Sequence, residues 1–226
     1  MTLENEAVLH MPLIGEKCPE FEAITTQGNI NFPKDFNGKW IVFFSHPADF
    51  TPVCTTEFMT FAHRAKELSD INTVLVGLSV DSISAHIAWL RRIKELEWKG
   101  MKNVDVQFPL IEDISMKVAN KFGMIMPGQS NTQAVRATFI VDPAGIIRLI
   151  LYYPLSTGRN FDEIKRAVIA LQKADKDKCA TPANWQPGDD TIIPPPKSMS
   201  LAKERAELKN NKQYSLDWFF CFNKES

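Results

Sequence analysis

Two apolar runs, each followed by sequence of helical period, constrain the architecture of this chain most. Trp40-Ile41-Val42-Phe43-Phe44 and Thr73-Val74-Leu75-Val76-Gly77-Leu78-Ser79 lack the polar alternation of a half-exposed strand, so each reads as a buried one. After the first, Phe58, Phe61, Ala62, Ala65 and Leu68 fall on one helical face. After the second, Asp81-Ser82 opens a helix with apolar positions at 83, 87, 90 and 93. This strand–helix–strand–helix order predicts an α/β fold with a parallel core sheet.

The junction between the first strand and its helix carries the chemistry. Thr51-Pro52 is a helix start, with Thr as N-cap and Pro at the first helical position. Cys54 then sits in the first turn, where free backbone N–H groups and the positive dipole end favour an anion. A capping box would place Glu there; a cysteine offers a thiolate instead. A small buried cysteine packing at the junction is the alternative, and the helix start favours the reactive reading.

The rest of the chain adds antiparallel pieces. Phe21–Ile24 and Ile30–Phe32 flank Gln27-Gly28-Asn29, and Arg136–Val141 and Ile146–Tyr152 flank the turn Asp142-Pro143-Ala144-Gly145; both pairs read as hairpins. Phe108–Ile111 is a short strand whose Pro109 suits an edge or a strand start. Ser115 to Phe122 reads as a short helix ended by Gly123, and a last helix runs from Phe161 to Ala174. Beyond Lys176, Pro182, Pro187 and Pro194-Pro195-Pro196 predict an extended arm without regular structure, then a short charged helix over 200–209. The arm ends in the aromatic cluster Tyr214–Phe222, which in water would form an apolar patch of the kind that marks an interface. The expected division is a core domain over 1–175 and an arm over 176–226.

Several function classes are disfavoured. The 226 residues carry 26 basic and 27 acidic side chains, a net charge of −1, which provides no field for nucleic acid. The N-terminal Met1–Glu6 lacks signal-peptide character and no apolar run is long enough for a bilayer span, so a soluble cytoplasmic protein is expected. Cys18, Cys54, Cys179 and Cys221 include no C-x-x-C pair, and the histidines at 10, 46, 63 and 86 include no H-x-x-x-H pair. Neither a metal nor another cofactor is expected.

Pro47-x3-Thr51-x2-Cys54, with Arg136 opening a later strand, resembles the active site of peroxiredoxins, thiol peroxidases on a thioredoxin-like fold with a central mixed sheet flanked by helices. Ser45-His46-Pro47, Pro52–Glu57, Thr157–Glu163 and Ala180–Trp185 are similar to the long-arm subgroup of one-cysteine and archaeal-type thioredoxin peroxidases. The resemblance implies that Cys54 attacks a hydroperoxide and becomes a sulfenic acid. It implies that Arg136 and Thr51 hold the peroxide and that Pro47 shields the sulfur. His46 would lie beside the pocket, and Glu57 and Arg159 would brace Cys54 and Arg136. His86 and Trp89 are expected to pack, and Cys18 and Cys179 to be bystanders.

The resemblance also implies how the cycle closes. Leu216–Cys221 is similar to the segment that bears the resolving cysteine of the archaeal-type enzymes, so Cys221 of a neighbouring subunit is expected to reduce the Cys54 sulfenic acid. The earlier arm cysteine of those relatives is here Ser215. The alternatives are one-cysteine catalysis with direct reduction by an external thiol and, outside enzymes, a ring-forming holdase or redox-signalling scaffold. Expected partners are a peroxide, a thioredoxin-like or other thiol reductant, and further copies of the chain as a homodimer or a decameric ring of dimers. Asn37–Ile41 lacks the Gly-x-Ser-x-Gly of relatives with phospholipase activity, so lipid hydrolysis is not expected.

Overall fold

A computed structural model of the chain describes residues 11–225; His10 and the Met1–Glu6 segment lie outside the described residues. The chain forms two compact units, one extending to Phe161 and one from Asp162 onward.

The first unit is built on a seven-stranded mixed sheet in the order β2-β1-β5-β4-β3-β6-β7. Its elements in chain order are β1 (Phe21–Thr25), β2 (Gly28–Phe32), β3 (Trp40–Ser45), α1 (Pro52–Ser69), β4 (Thr73–Ser79), α2 (Ile83–Glu95), β5 (Leu110–Glu112), α3 (Lys117–Lys121), β6 (Arg136–Val141) and β7 (Ile147–Tyr153). As the alternation predicts, β3, β4 and β5 run parallel. The two hairpins add antiparallel pairs, β1 with β2 and β6 with β7.

All six residues of β3 are buried, because side chains alternate between two covered faces. Phe43 packs with Phe32, Phe122 and Phe139 on one face. Phe44 packs with Phe58 and Phe61 of α1, and with Phe108, on the other. Burying one such ring contributes roughly 1.5–3 kcal/mol, so these two aromatic layers fix the positions of β3 and α1.

Two expectations are corrected in this unit. The buried stripe of α2 is His86, Trp89 and Ile93, whereas Ile87 faces out. His86 and Trp89 pack as expected, and the apolar positions err in placing Ile87 on the inner face, because the buried stripe includes a histidine. The short helix is trimmed to Lys117–Lys121, since Met116 at its start is left-handed (φ 54°) and cannot continue a helix backward.

The second unit takes up α4 (Phe161–Asp177) from its second residue onward, and the helix leads to a three-stranded antiparallel sheet in the order β8-β10-β9. Its strands are β8 (Thr191–Ile192), β9 (Gln213–Asp217) and β10 (Phe220–Asn223), with α5 (Met199–Ala206) between β8 and β9. The arm therefore holds more regular structure than its prolines predict. They interrupt it without preventing β8 from pairing with Phe222 and Asn223. The aromatic cluster is a hairpin in which Tyr214 stacks on Phe222 at 5.0 Å. Leu216, Trp218, Phe219 and Phe220 at its tip remain exposed. Among the described residues no helix is long and apolar enough to cross a membrane.

Candidate active site

The topology brings two distant sequence positions together. β3 and β6 are antiparallel neighbours, with Phe44 opposite Thr138. The first residue of β6, Arg136, thus lies beside the end of β3, where the chain turns into α1. Cys54 is the third residue of that helix and is fully buried. Arg136 Nη1 donates to Cys54 Sγ at 3.4 Å. The guanidinium and the start of α1 together favour negative charge at the sulfur.

Arg136 is held on three sides. Its Nε and Nη2 donate to the Leu155 carbonyl at 3.0 and 2.8 Å, and Nη1 also donates to Glu57 Oε2 at 2.8 Å. Glu57 stands on α1 three residues beyond Cys54, on the same side of the helix. Its carboxylate also accepts from Arg159: Nη2 to Oε2 at 2.7 Å, Nε to Oε1 at 2.9 Å, and the backbone N–H to Oε1 at 2.8 Å. Arg159 Nη1 donates in turn to the Ala137 carbonyl on β6, and its guanidinium lies 4.9 Å over the Phe44 ring. Burial alone would push the Glu57 carboxyl up, but the Arg159 and Arg136 charges outweigh it and hold the group below its ordinary value. One carboxylate between two guanidiniums leaves a net positive cluster behind the sulfur.

The preceding loop supplies the other predicted residues. Pro47 is buried and Thr51 is half-buried. Thr51 occupies the N-cap position with extended backbone, but its side chain makes no capping bond; Oγ1 instead donates to the Ala48 carbonyl at 2.9 Å. That use of the hydroxyl hydrogen leaves the oxygen lone pairs open to a donor. Phe50, left-handed at φ 57° and 58% exposed, gives the loop the turn that presents Thr51.

His46 is buried and its Nε2 lies 2.9 Å from Asp49 Oδ1. Its ring packs on Phe58 and Trp89, with centroids at 4.7 and 5.1 Å. Asp49 Oδ2 lies 2.7 Å from His86 Nδ1, and His86 Nε2 donates to the Ile111 carbonyl at 3.1 Å. Asp49 and His86 were not singled out as polar partners in the sequence. They stand on a loop and on a helix with no shared periodicity, so nothing in the spacing pairs them. His46, Asp49 and Asp81 place three candidate ligand atoms within 4.8 Å of one another. Asp81 Oδ2 accepts from Ser79 Oγ and from the Asp49 backbone N–H, and His46 Nε2 and Asp49 Oδ1 face each other.

The remaining cysteines differ from Cys54 in setting. Cys18 is buried beside apolar residues, and burial pushes its thiol up to about 12. Iodoacetamide at pH 8 is expected to leave Cys18 unmodified in the folded protein and to modify it after denaturation, read by peptide mass mapping. Labelling of the folded protein would show that the thiol is accessible. Cys179 Sγ faces the Lys173 carbonyl at 3.8 Å. Cys221, 1% exposed, has its sulfur 3.4 and 3.5 Å from the Asp217 and Trp218 carbonyls of its own hairpin.

Comparison with known proteins agrees along the length of the chain. The AhpC/TSA family pattern matches residues 14–150, and that of the C-terminal domain of 1-Cys peroxiredoxin matches 170–209. A peroxiredoxin of Methanosarcina mazei is 61% identical over 217 residues, covering 96% of this chain and 99% of the relative. A yeast mitochondrial 1-Cys peroxiredoxin, solved in connection with thiol resolution via glutathione/thioredoxin systems, superposes with a TM-score of 0.82 at 40% identity, covering 95% of this chain and all of that one. A mutant of peroxiredoxin 6 from Arenicola marina gives 0.83 at 33% identity, covering 95% and 99%. Pattern, sequence and fold converge: the chain belongs to the AhpC/TSA family of peroxiredoxins, the thiol-dependent peroxidases, on the branch that carries a 1-Cys-type C-terminal domain.

Proposed function

We propose that Cys54 is the peroxidatic thiol of a peroxidase acting on hydrogen peroxide and organic hydroperoxides. The observation that carries this reading is the 3.4 Å contact between Cys54 Sγ and an Arg136 guanidinium that Glu57 holds in place. The sulfur, as thiolate, attacks the terminal oxygen of the peroxide. The S–O bond forms as the O–O bond breaks, and the departing oxygen takes a proton to leave as water or alcohol. Arg136 stabilises charge spreading onto the oxygens, Thr51 Oγ1 accepts the peroxide O–H, Pro47 keeps water off the sulfur, and Arg159 acts through Glu57.

The sulfenic acid is reduced by an external thiol, of a thioredoxin-like protein or a small thiol. Two observations support this: Cys221 is enclosed in its own hairpin, and the arm matches the 1-Cys C-terminal domain. A second reading keeps Cys221 of a neighbouring subunit as the resolving thiol. It is favoured by the exposed Leu216, Trp218, Phe219 and Phe220 beside that cysteine, an apolar tip suited to cover by another copy in a homodimer.

One experiment separates these readings. The protein is oxidised with one equivalent of hydrogen peroxide, trapped with dimedone, and run on a non-reducing gel beside Cys54→Ser and Cys221→Ser. External resolution predicts a dimedone adduct on Cys54, no disulfide-linked dimer, and turnover with added thiol that persists in Cys221→Ser. A dimer band that needs both cysteines, with turnover lost in Cys221→Ser, establishes the second reading. A dimedone adduct anywhere but on Cys54 sinks the first assignment.

A further inference from the structure

Among the described residues, His46 Nδ1 is the buried side-chain nitrogen or oxygen with no hydrogen-bond partner. An orphan of this kind forfeits a hydrogen bond it would make in water, so its persistence asks for a cause. The cause lies in what holds the other side of the ring. His46 Nε2 faces Asp49 Oδ1, an acceptor, and therefore carries the hydrogen. Burial pushes the imidazole below its ordinary value against the opposing pull of Asp49, so Nδ1 stays bare.

His86 is different, because both of its nitrogens face acceptors. Nε2 must carry a hydrogen to bond the Ile111 carbonyl. Nδ1 lies 2.7 Å from Asp49 Oδ2, and an imidazole whose Nε2 is protonated has only a lone pair at Nδ1 unless it holds a second proton. A neutral histidine beside a carboxylate would set two lone pairs against each other at 2.7 Å. One additional proton must therefore sit between Nδ1 and Oδ2. Burial raises the Asp49 carboxyl, but its bonds to His46 and His86 outweigh this and hold it below its ordinary value, the direction expected of a carboxylate facing two imidazole N–H groups. The surroundings agree with this count. Asp81 accepts from the Asp49 backbone, while the neutral rings of Phe58 and Trp89 wall off His46.

We propose that Asp49 and His86 are positioning residues for the Cys54 site: a doubly protonated His86 holds the Asp49 carboxylate, and the carboxylate holds His46 as its Nε2–H tautomer. The chain of three buried side chains joins the loop that carries Pro47 and Thr51 to α2 and, through the Ile111 carbonyl, to β5. It fixes the loop on two separate elements and keeps His46 Nδ1 a free acceptor. This rests on the peroxidase reading of Cys54 only for its kinetic consequence; the proton arrangement stands apart from it.

Neutron diffraction from deuterated crystals of the full chain near pH 7 tests the arrangement directly. The expected map shows deuterium on both nitrogens of His86 and on Nε2 alone of His46. A map with nothing between His86 Nδ1 and Asp49 Oδ2, or with deuterium on His46 Nδ1, overturns the proposal. The kinetic arm follows Cys54 oxidation by hydrogen peroxide in a stopped-flow instrument. Asp49→Ala, which frees the tautomer, is expected to slow oxidation about tenfold or more. Asp49→Asn keeps an acceptor for His46 and offers its amide hydrogen to His86, so it needs no additional proton. It is expected to stay within about threefold of wild type while His86 loses the deuterium at Nδ1. Equal rates for Asp49→Ala and wild type would overturn the positioning role. A wild-type Cys54 that peroxide does not oxidise would remove the peroxidase reading and leave the diffraction result to decide the proton arrangement.

Discussion

Replacing Cys54 by serine is expected to reduce peroxide consumption by about 10³-fold or more, to the uncatalysed background, with dithiothreitol as reductant. The argument is chemical rather than steric. A serine hydroxyl at the start of α1 would meet the same Arg136 guanidinium, but a guanidinium is a donor and cannot take the hydroxyl proton. Glu57 is occupied by Arg136 and Arg159, and the bare His46 Nδ1 makes no hydrogen bond, to position 54 or to any other group. Among the described residues no base is thus engaged with position 54, and an unactivated hydroxyl is a poor nucleophile. The fold should survive, because Arg136 can donate to the new oxygen and a satisfied buried hydroxyl costs only about 1 kcal/mol. Circular dichroism and a thermal midpoint within a few degrees of wild type would confirm this. Substantial residual turnover in a folded Cys54→Ser protein would overturn the assignment of the nucleophile.

What could be read from the sequence follows a physical pattern. Local periodicity and helix-start chemistry placed β3, α1 and Cys54, because an apolar run followed by Thr-Pro has few other readings. The central parallel strands followed from the alternation of elements. Position 136 was prominent only through resemblance to a family, since nothing local says which face a strand-opening arginine will take. The Asp49–His86 link was illegible for a related reason. Polar contacts between a loop and a helix depend on the helix's rotation, and the expectation that His86 packs does not say which polar group it meets. The arm was misread because prolines bar regular structure only at their own positions. Thr191–Ile192 and the hairpin at 213–223 pair between and beyond them.

Glu57→Gln is expected to be the most destabilising of these substitutions, by about 3–5 kcal/mol, read as a lowered urea midpoint. The carboxylate is 2% exposed and sits between two arginines whose side chains are 2% and 0% exposed. An amide keeps the shape but removes the one negative charge and turns half of the group into a donor facing donors. Two guanidiniums are then buried without a counter-ion, and that uncompensated charge sets the size of the loss. Removing one of them should restore part of the stability: Glu57→Gln combined with Arg159→Met is expected to be more stable than Glu57→Gln alone. If the double variant were less stable, the loss would come from packing. The same network sets a pH dependence. The Glu57 carboxyl titrates lower in the folded chain than its ordinary 4.5, so its contribution is fully present above that value and is lost as pH falls through the lower folded value. Acid unfolding of Glu57→Gln should lack that component. Peroxidase activity should also fall about tenfold, because Arg136 keeps the Leu155 carbonyl but loses the carboxylate that directs Nη1 toward the sulfur. A variant with wild-type activity and a wild-type midpoint would mean that the Leu155 carbonyl alone orients Arg136, and that Glu57 is not what sets the charge behind Cys54.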